Sequence, residues 1–472
     1  MNLRHLAAGC SRREMLRQSA NGFGLLALAG LLADEARGQS AKTVPDPLAP
    51  KPPQFPAKAK RVIFLFMHGG PSQVDTFDYK PLLERDNGKP LPFAKPRVVS
   101  GETGNLLKSP WKFKQHGKSG AWASELFPEV ASHADDLCFI KSMHASNSRH
   151  GGALLELHTG SDTFVRPSMG SWVTYGLGTE NRNLPGFITV CPTLTHGGEN
   201  NFSSAFLPAI YQGTPVGNAG MSSDRAKIPF IVGDTPAKLQ RMELDFVGRI
   251  DRERLARTGP DNALEGRIDS FELAFRMQTA APQAQDLSAE TAETQKLYGL
   301  DDPVTANFGR QCLMARRFAE AGVRFVQVTH SYKWDQHGDL KKDHAKNARE
   351  VDKPIAGLLA DLKRRGLLKD TLVWWGGEFG RTPTAQGGDG RDHNPHGFTM
   401  WLAGGGMKAG ISHGATDDYG YYAVENKVHM HDLHATMLHL LGLDHEKLTF
   451  RHAGRDFRLT DVHGRVVKEI IV

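Results

Sequence analysis

The sequence predicts an α/β fold, a three-layer sandwich whose mostly parallel central sheet carries helices on both faces. Three observations predict it. Short, continuous apolar runs recur at 61–67, 137–141, 186–190, 229–232, 323–329, 371–376 and 398–403, and such runs suit strands buried on both faces. Stretches with helical spacing lie between several of them. Residues 345–365 place Val351, Ile355, Leu358, Leu359 and Leu362 on one face, and 432–441 starts at Asp432 as N-cap and stops at Gly442. Strands alternating with helices build a largely parallel sheet. Finally, several runs end directly in polar clusters rich in glycine and histidine, and the carboxyl ends of strands are where open sheets place ligands.

The first run, Arg61-Val62-Ile63-Phe64-Leu65-Phe66-Met67, stops at Gly69-Gly70-Pro71. Ahead of it, 39–60 holds six prolines and reads as an extended tether. Further upstream, residues 1–38 read as a twin-arginine export signal. Ser11-Arg12-Arg13-Glu14-Met15-Leu16-Arg17 precedes an apolar segment at 22–33. That segment falls short of the roughly 20 residues a membrane span needs, so the mature chain is expected to have no transmembrane span and to reside in the periplasm or at the cell surface. The fold proper is expected at 61–472, with a polar, helix-prone excursion around 235–300.

Of 472 residues, 39% are hydrophobic and 23% charged, with a net charge of +6 and no dense Lys/Arg run. This suits a soluble globular chain and gives no support to a nucleic-acid partner. Four cysteines, one of them Cys10 in the leader, form no CxxC pair and no disulfide framework. Histidine is distributed unevenly: 13 of the 21 fall from His330 onward, which directs the search for metal ligands there.

Four clusters carry candidate chemistry. The first, Met67 to Asp78, offers His68, Asp75 and Asp78 in a glycine-bearing turn, where Ser72 or Asp75 could equally cap a helix. The second follows the run at 323–329 and offers Asp335 and His337. Imidazole and carboxylate at short spacing suit a zinc-like divalent site. The third, Gly376 to Pro383, offers Glu378 as a ligand and Arg381 as a bidentate anion holder, or the two as a buried ion pair. The fourth, Arg391-Asp392-His393-Asn394-Pro395-His396-Gly397, places His393 and His396 around Asn-Pro in a loop. Beyond it, His429 and His431 open the last helix.

The stretch from Asp352 to Leu443 resembles the C-terminal half of sulfatases and alkaline-phosphatase-like enzymes. The resemblance rests on Asp370-Thr371-Leu372-Val373, Gly377-Glu378-Phe379-Gly380, His393, Ala403-Gly404-Gly405-Gly406 and Asp432-Leu433-His434-Ala435-Thr436 through Leu441-Gly442. Met67-His68-Gly69-Gly70-Pro71-Ser72 and Gly377-Glu378-Phe379-Gly380-Arg381-Thr382-Pro383 resemble, more closely, an uncharacterised domain-of-unknown-function family in that superfamily whose members commonly carry twin-arginine leaders. The resemblance implies an alkaline-phosphatase-like sandwich and a divalent metal, zinc first, then calcium, manganese or magnesium. His68, Asp75, Asp335, His337, Glu378, His393, His396 and His431 would be its ligands.

The resemblance further implies a small anionic ester or a sulfated or phosphorylated glycan as substrate. Ser146, or else Ser148, would be the nucleophile, with Arg149, His150 and Arg381 around it; the same residues could equally cap the helix that runs to Leu157. Three departures stand against it. His68 replaces an Asp, Glu378-Phe379 replaces Asp-His or Asp-Asn, and no cysteine sits in the C/S-x-P-x-R setting a formylglycine sulfatase needs. The chain is thus expected to be an exported ester hydrolase or, alternatively, a non-catalytic metal-containing protein that binds anions or glycans at the surface. A third reading, a structural protein with histidines serving only packing, predicts indifference to chelators.

Overall fold

A computed structural model describes residues 46–94, 101–102, 104–232, 235–259 and 261–472. The export signal expected at 1–38 and the start of the proline-rich stretch lie outside the described residues. The helix Ala237–Thr258 falls in one compact unit; residues 47–232 and 261–472 form another.

In the larger unit nine described strands form the central sheet: β1 (Arg61–Met67), β2 (Leu137–His144), β3 (Phe187–Val190), β4 (Thr214–Val216), β5 (Phe325–His330), β6 (Thr371–Gly376), β7 (Phe398–Ala403), β8 (Ile411–His413) and β9 (Val428–His429). Their order is β8-β2-β7-β6-β1-β5-β3-β4, with β9 also beside β2. All pairs are parallel except those of β7, which runs against both β2 and β6. Every residue of β1, β5, β6 and β7 is buried. Because alternate side chains point to opposite faces, both faces of the sheet's middle are covered. This is the α/β architecture the apolar runs predict.

Helix Ala306–Glu320 packs on β1 and β5, and Leu340–Arg364 packs against that helix. The latter begins at Leu340, five residues before the predicted start, because Leu340 and His344 are buried and extend its apolar stripe by another turn. The core is aromatic around β1 and β6, where Phe64 stacks on Trp374 at 3.6 Å.

Some expectations change. Residues 229–232 are not a strand: Phe230 has φ +56° and is 99% exposed, a backbone that cannot continue a pleat. The neighbour of β3 is instead β4, whose Pro215 suits an edge position that needs no ladder donor. The described part of the proline-rich stretch is strapped down rather than free. Leu48 is buried, Lys51 N donates to Leu177 O, and Gln54 N and Lys58 N donate to Gly442 O and Leu440 O. The last helix is Met430–Leu440, and its cap is His429 rather than Asp432. His429 Nδ1 accepts from His431 N–H while Asp432 Oδ2 accepts from His429 N–H, so Asp432 is the reciprocal partner of a capping box. The excursion holds the helices Ala237–Thr258, Asn262–Gln285 and Ala292–Leu297. Among the described residues no helix is long and apolar enough to cross a membrane.

Candidate functional site

The carboxyl ends of β1, β2, β3, β5 and β6 share one rim of the sheet. β7 runs the other way, so the hairpin that precedes it, Gly380–Gln386 with Gly390–Asn394, returns to that same rim. Histidines and carboxylates from distant segments meet there.

Three of the histidines head the same tripeptide. His68-Gly69-Gly70 follows β1, His150-Gly151-Gly152 opens the helix His150–Thr159, and His196-Gly197-Gly198 lies beyond β3. Ligand atoms of His68, His150 and His196 all lie within 4.8 Å of one another. The first turn shows why glycine is needed. Gly69 has φ +115°, and a Cβ there would sit 2.7 Å from Asp335 N; Gly70 has φ +82°, with Phe379 as close. A side chain at either position would push the second or third cluster off the rim.

Arg381 holds these turns together. It is fully buried, and its guanidinium donates to the carbonyls of Gly69, Gly70, Trp334 and Arg391 and, at 2.7 Å, to Asp335 Oδ1. It therefore acts as an internal clamp, and its donors are spent on the protein rather than on a substrate anion. Glu378 is equally enclosed. Its oxygens accept from Gly69 N at 3.0 and 3.1 Å and from His150 Nδ1 at 2.7 Å. It orients a histidine instead of facing a cation. Burial alone would raise its carboxyl, but the hydrogen bond from His150 and the neighbouring rings of His68 and His150 bring it down to about 2.

Around Asp335 the geometry is that of a cation cage. Asp335 Oδ1 lies 2.9 Å from His337 Nε2 and 3.1 Å from His393 Nε2, and those two nitrogens are 3.1 Å apart. His393 Nδ1 donates to Ser148 O at 2.7 Å, and His337 Nδ1 pairs with Gln386 Oε1. With both Nδ1 protons committed, both Nε2 atoms present lone pairs to each other and to a carboxylate oxygen. That arrangement is repulsive unless a cation or a shared proton lies between them, and an outward Nδ1–H bond is the usual device for fixing a metal-binding imidazole.

His150 Nε2 lies 3.2 Å from Asp335 Oδ2, buried and without a hydrogen-bond partner among the described residues; so is His68 Nδ1. His150, Asp335 and His393 form one group of converging ligand atoms, and His337, Asp392 and His393 another. The imidazole–carboxylate donor set fits a divalent cation of the zinc type.

Asp335 stays far below the usual carboxylate range, against its burial, because three imidazoles and Arg381 surround it. His150 is lifted to about 9: burial opposes its charge, but the carboxylates of Asp335 and Glu378 on either side outweigh it. His68, lacking such a close acid, is pushed down to about 4 by burial. His393 is lowered by burial, and His337 is raised by its bond to Asp335.

Other candidates lie elsewhere. Asp75 is fully buried and locked to Arg391, with Oδ2–Nε at 2.6 Å and Oδ1–Nη2 at 3.1 Å. Its Oδ2 also accepts from Ser72 Oγ. Both oxygens are thus engaged by the protein, and the pair braces the hairpin beneath the cage. His396 is exposed, with its ring beside Tyr422 at 5.6 Å, because Asn394 and Pro395 turn the chain outward after His393. His431 donates from Nε2 to Gly160 O at 2.9 Å. Ser146 lies near it; its Oγ donates to Glu156 Oε1 at 3.0 Å, with His429 Nε2 at 3.3 Å. His429 Nδ1 accepts a backbone proton, so Nε2 carries the ring's own proton and cannot take one from the serine. Arg149 is exposed beside His150 and has no ion-pair partner among the described residues.

The chain belongs to DUF1501. The model of this family of proteins of unknown function matches residues 59–471. No curated protein matches this DUF1501 chain. Solved structures similar to it include the lipoteichoic acid synthase LtaP of Listeria monocytogenes, 12% identical over 90% of this chain and 79% of that one, with a TM-score of 0.36. The PsFucS1 sulfatase of Pseudoalteromonas sp. is 12% identical over 82% and 68%, at 0.35. An alkaline phosphatase superfamily protein of Vibrio parahaemolyticus is 9% identical over 85% and 71%, at 0.34.

Proposed function

We propose that this DUF1501 chain is an exported, metal-dependent hydrolase of phosphate or sulfate esters. One observation carries the reading: the Nε2 atoms of His337 and His393, 3.1 Å apart, turn together onto Asp335 Oδ1. A divalent cation held by Asp335, His337 and His393, with His150 and Asp392 beside them, would supply Lewis-acid polarisation of an ester oxygen; zinc suits these donors best. The chain's own residues do the rest. Glu378 fixes the ring of His150, Arg381 fixes the backbone on which Asp335 sits, and exposed Arg149 offers charge to an anionic ester. Export is supported by Arg12-Arg13 ahead of the apolar segment.

The test is metal analysis of the purified protein, a panel of aryl phosphates, phosphodiesters and aryl sulfates, and cell fractionation. We expect bound metal in the exported protein and turnover of at least one ester class, both lost in His393→Ala. No metal, no turnover and an unchanged His393→Ala would overturn the reading. Bound metal with anion binding but no turnover would establish the non-catalytic surface-binding alternative instead.

A further inference from the structure

Tyr332 lies just beyond the end of β5, where the chain turns toward Asp335. Four features set it apart. Its backbone has φ +45°, a region bulky residues rarely occupy. The conformation is enforced from both sides. Lys333 N and Trp334 N both donate to His68 O at 3.2 Å, and the side chains of Gln336 and Asn347 both reach Lys333 O. Its ring lies 5.0 Å from that of His68, 5.7 Å from His150 and 4.8 Å from His196, so it touches all three His-Gly-Gly histidines. At 45% exposure it is also the most solvent-exposed member of this group. Its hydroxyl donates to Asp335 Oδ2 at 3.2 Å.

The last contact divides the labour of the Asp335 carboxylate. Oδ1 faces Arg381, His337 and His393, whereas Oδ2 faces Tyr332 and His150. A carboxylate free to rotate about its last bond would present either oxygen, or both, to a cation. A donor on Oδ2 fixes which one enters the cage, as partners behind a ligand commonly do.

We propose that Tyr332 is a positioning residue of the cation site. Its hydroxyl holds Oδ2 so that Oδ1 stays on the line between His337 and His393, and its strained backbone keeps that hydroxyl in place. The inference rests on the metal reading above and goes further, since it assigns a role to a residue that does not itself ligate.

The test is zinc affinity of the metal-stripped full chain by competition with a chelating dye, together with the melting temperature of the metal-free protein, for wild type, Tyr332→Phe and Tyr332→Ala. Tyr332→Phe keeps the ring and loses only the hydroxyl. We expect zinc binding about 10-fold weaker, the lower end for residues that orient a metal ligand, with the metal-free melting temperature unchanged. Tyr332→Ala should weaken binding by a similar factor. Wild-type affinity in Tyr332→Phe would overturn the proposal, and a loss confined to Tyr332→Ala would do the same, since ring packing would then be responsible. A wild-type protein without zinc affinity would bring down the metal reading and this proposal together, and that result is visible before any variant is compared.

Discussion

Two histidine-rich regions lie at this end of the sheet, and they differ in one respect. Around Asp335, the Nδ1 protons of His337 and His393 point away and their Nε2 lone pairs converge. Around the helix Met430–Leu440, His144, His429, His431 and His463 stand in a row with ring centroids 4.9, 4.8 and 5.1 Å apart. There the protons are spent on carbonyls: His431 Nε2 on Gly160 O, and His434 Nε2 on Leu157 O at 2.8 Å. No group of converging ligand atoms forms in this row among the described residues. Histidine density is therefore a poor guide to a site. What separates a cage from a packed interior is the direction in which each ring is left unsatisfied.

The comparison can be broken or sharpened by mutation. The largest effect is expected beneath the cage. Asp75→Asn removes one half of a fully buried ion pair and leaves Arg391 uncompensated, which should cost about 3–5 kcal/mol in denaturant unfolding. Next, on the proposed metal reading, His337→Ala should weaken zinc binding by about 100-fold or more, because it would delete a direct ligand. His431→Ala, in the other region, should leave affinity unchanged and lower stability by about 1–2 kcal/mol, the value of one buried hydrogen bond. Equal loss of zinc in both variants would erase the distinction drawn here.

The smaller effect concerns acid. His434 is pushed to about 3 by burial and stays neutral in the fold, whereas an unfolded histidine takes up a proton near 6.5. Its contribution is full above pH 6.5 and declines as pH falls toward 3, the loss reaching about 2 kcal/mol at pH 5. His434→Gln should flatten the fall of melting temperature between pH 6.5 and 4.

Much of this was legible in the residues. Runs such as Arg61–Met67 and Thr371–Gly376 are apolar without alternation, and only a strand covered on both faces tolerates that. Asp335, His337 and His393 stand out because polar groups directly at strand ends have few structural reasons to be there. His196 looks like a lone histidine far from its partners; its signal is the tripeptide, which repeats those at His68 and His150. The Asp75–Arg391 pair was illegible for a different reason. A carboxylate suited to a metal and one suited to an arginine look alike until the chain brings the partner across 316 positions. Arg381 likewise reads as an anion holder until the four carbonyls around it are seen.

The clamp made by Arg381 has a consequence for the order of assembly. Its permanent charge, together with the proton His150 carries between two acids, already offsets Asp335 and Glu378. That offset lets the polypeptide reach its final shape before any ion arrives, and a cation held there would be loaded afterwards.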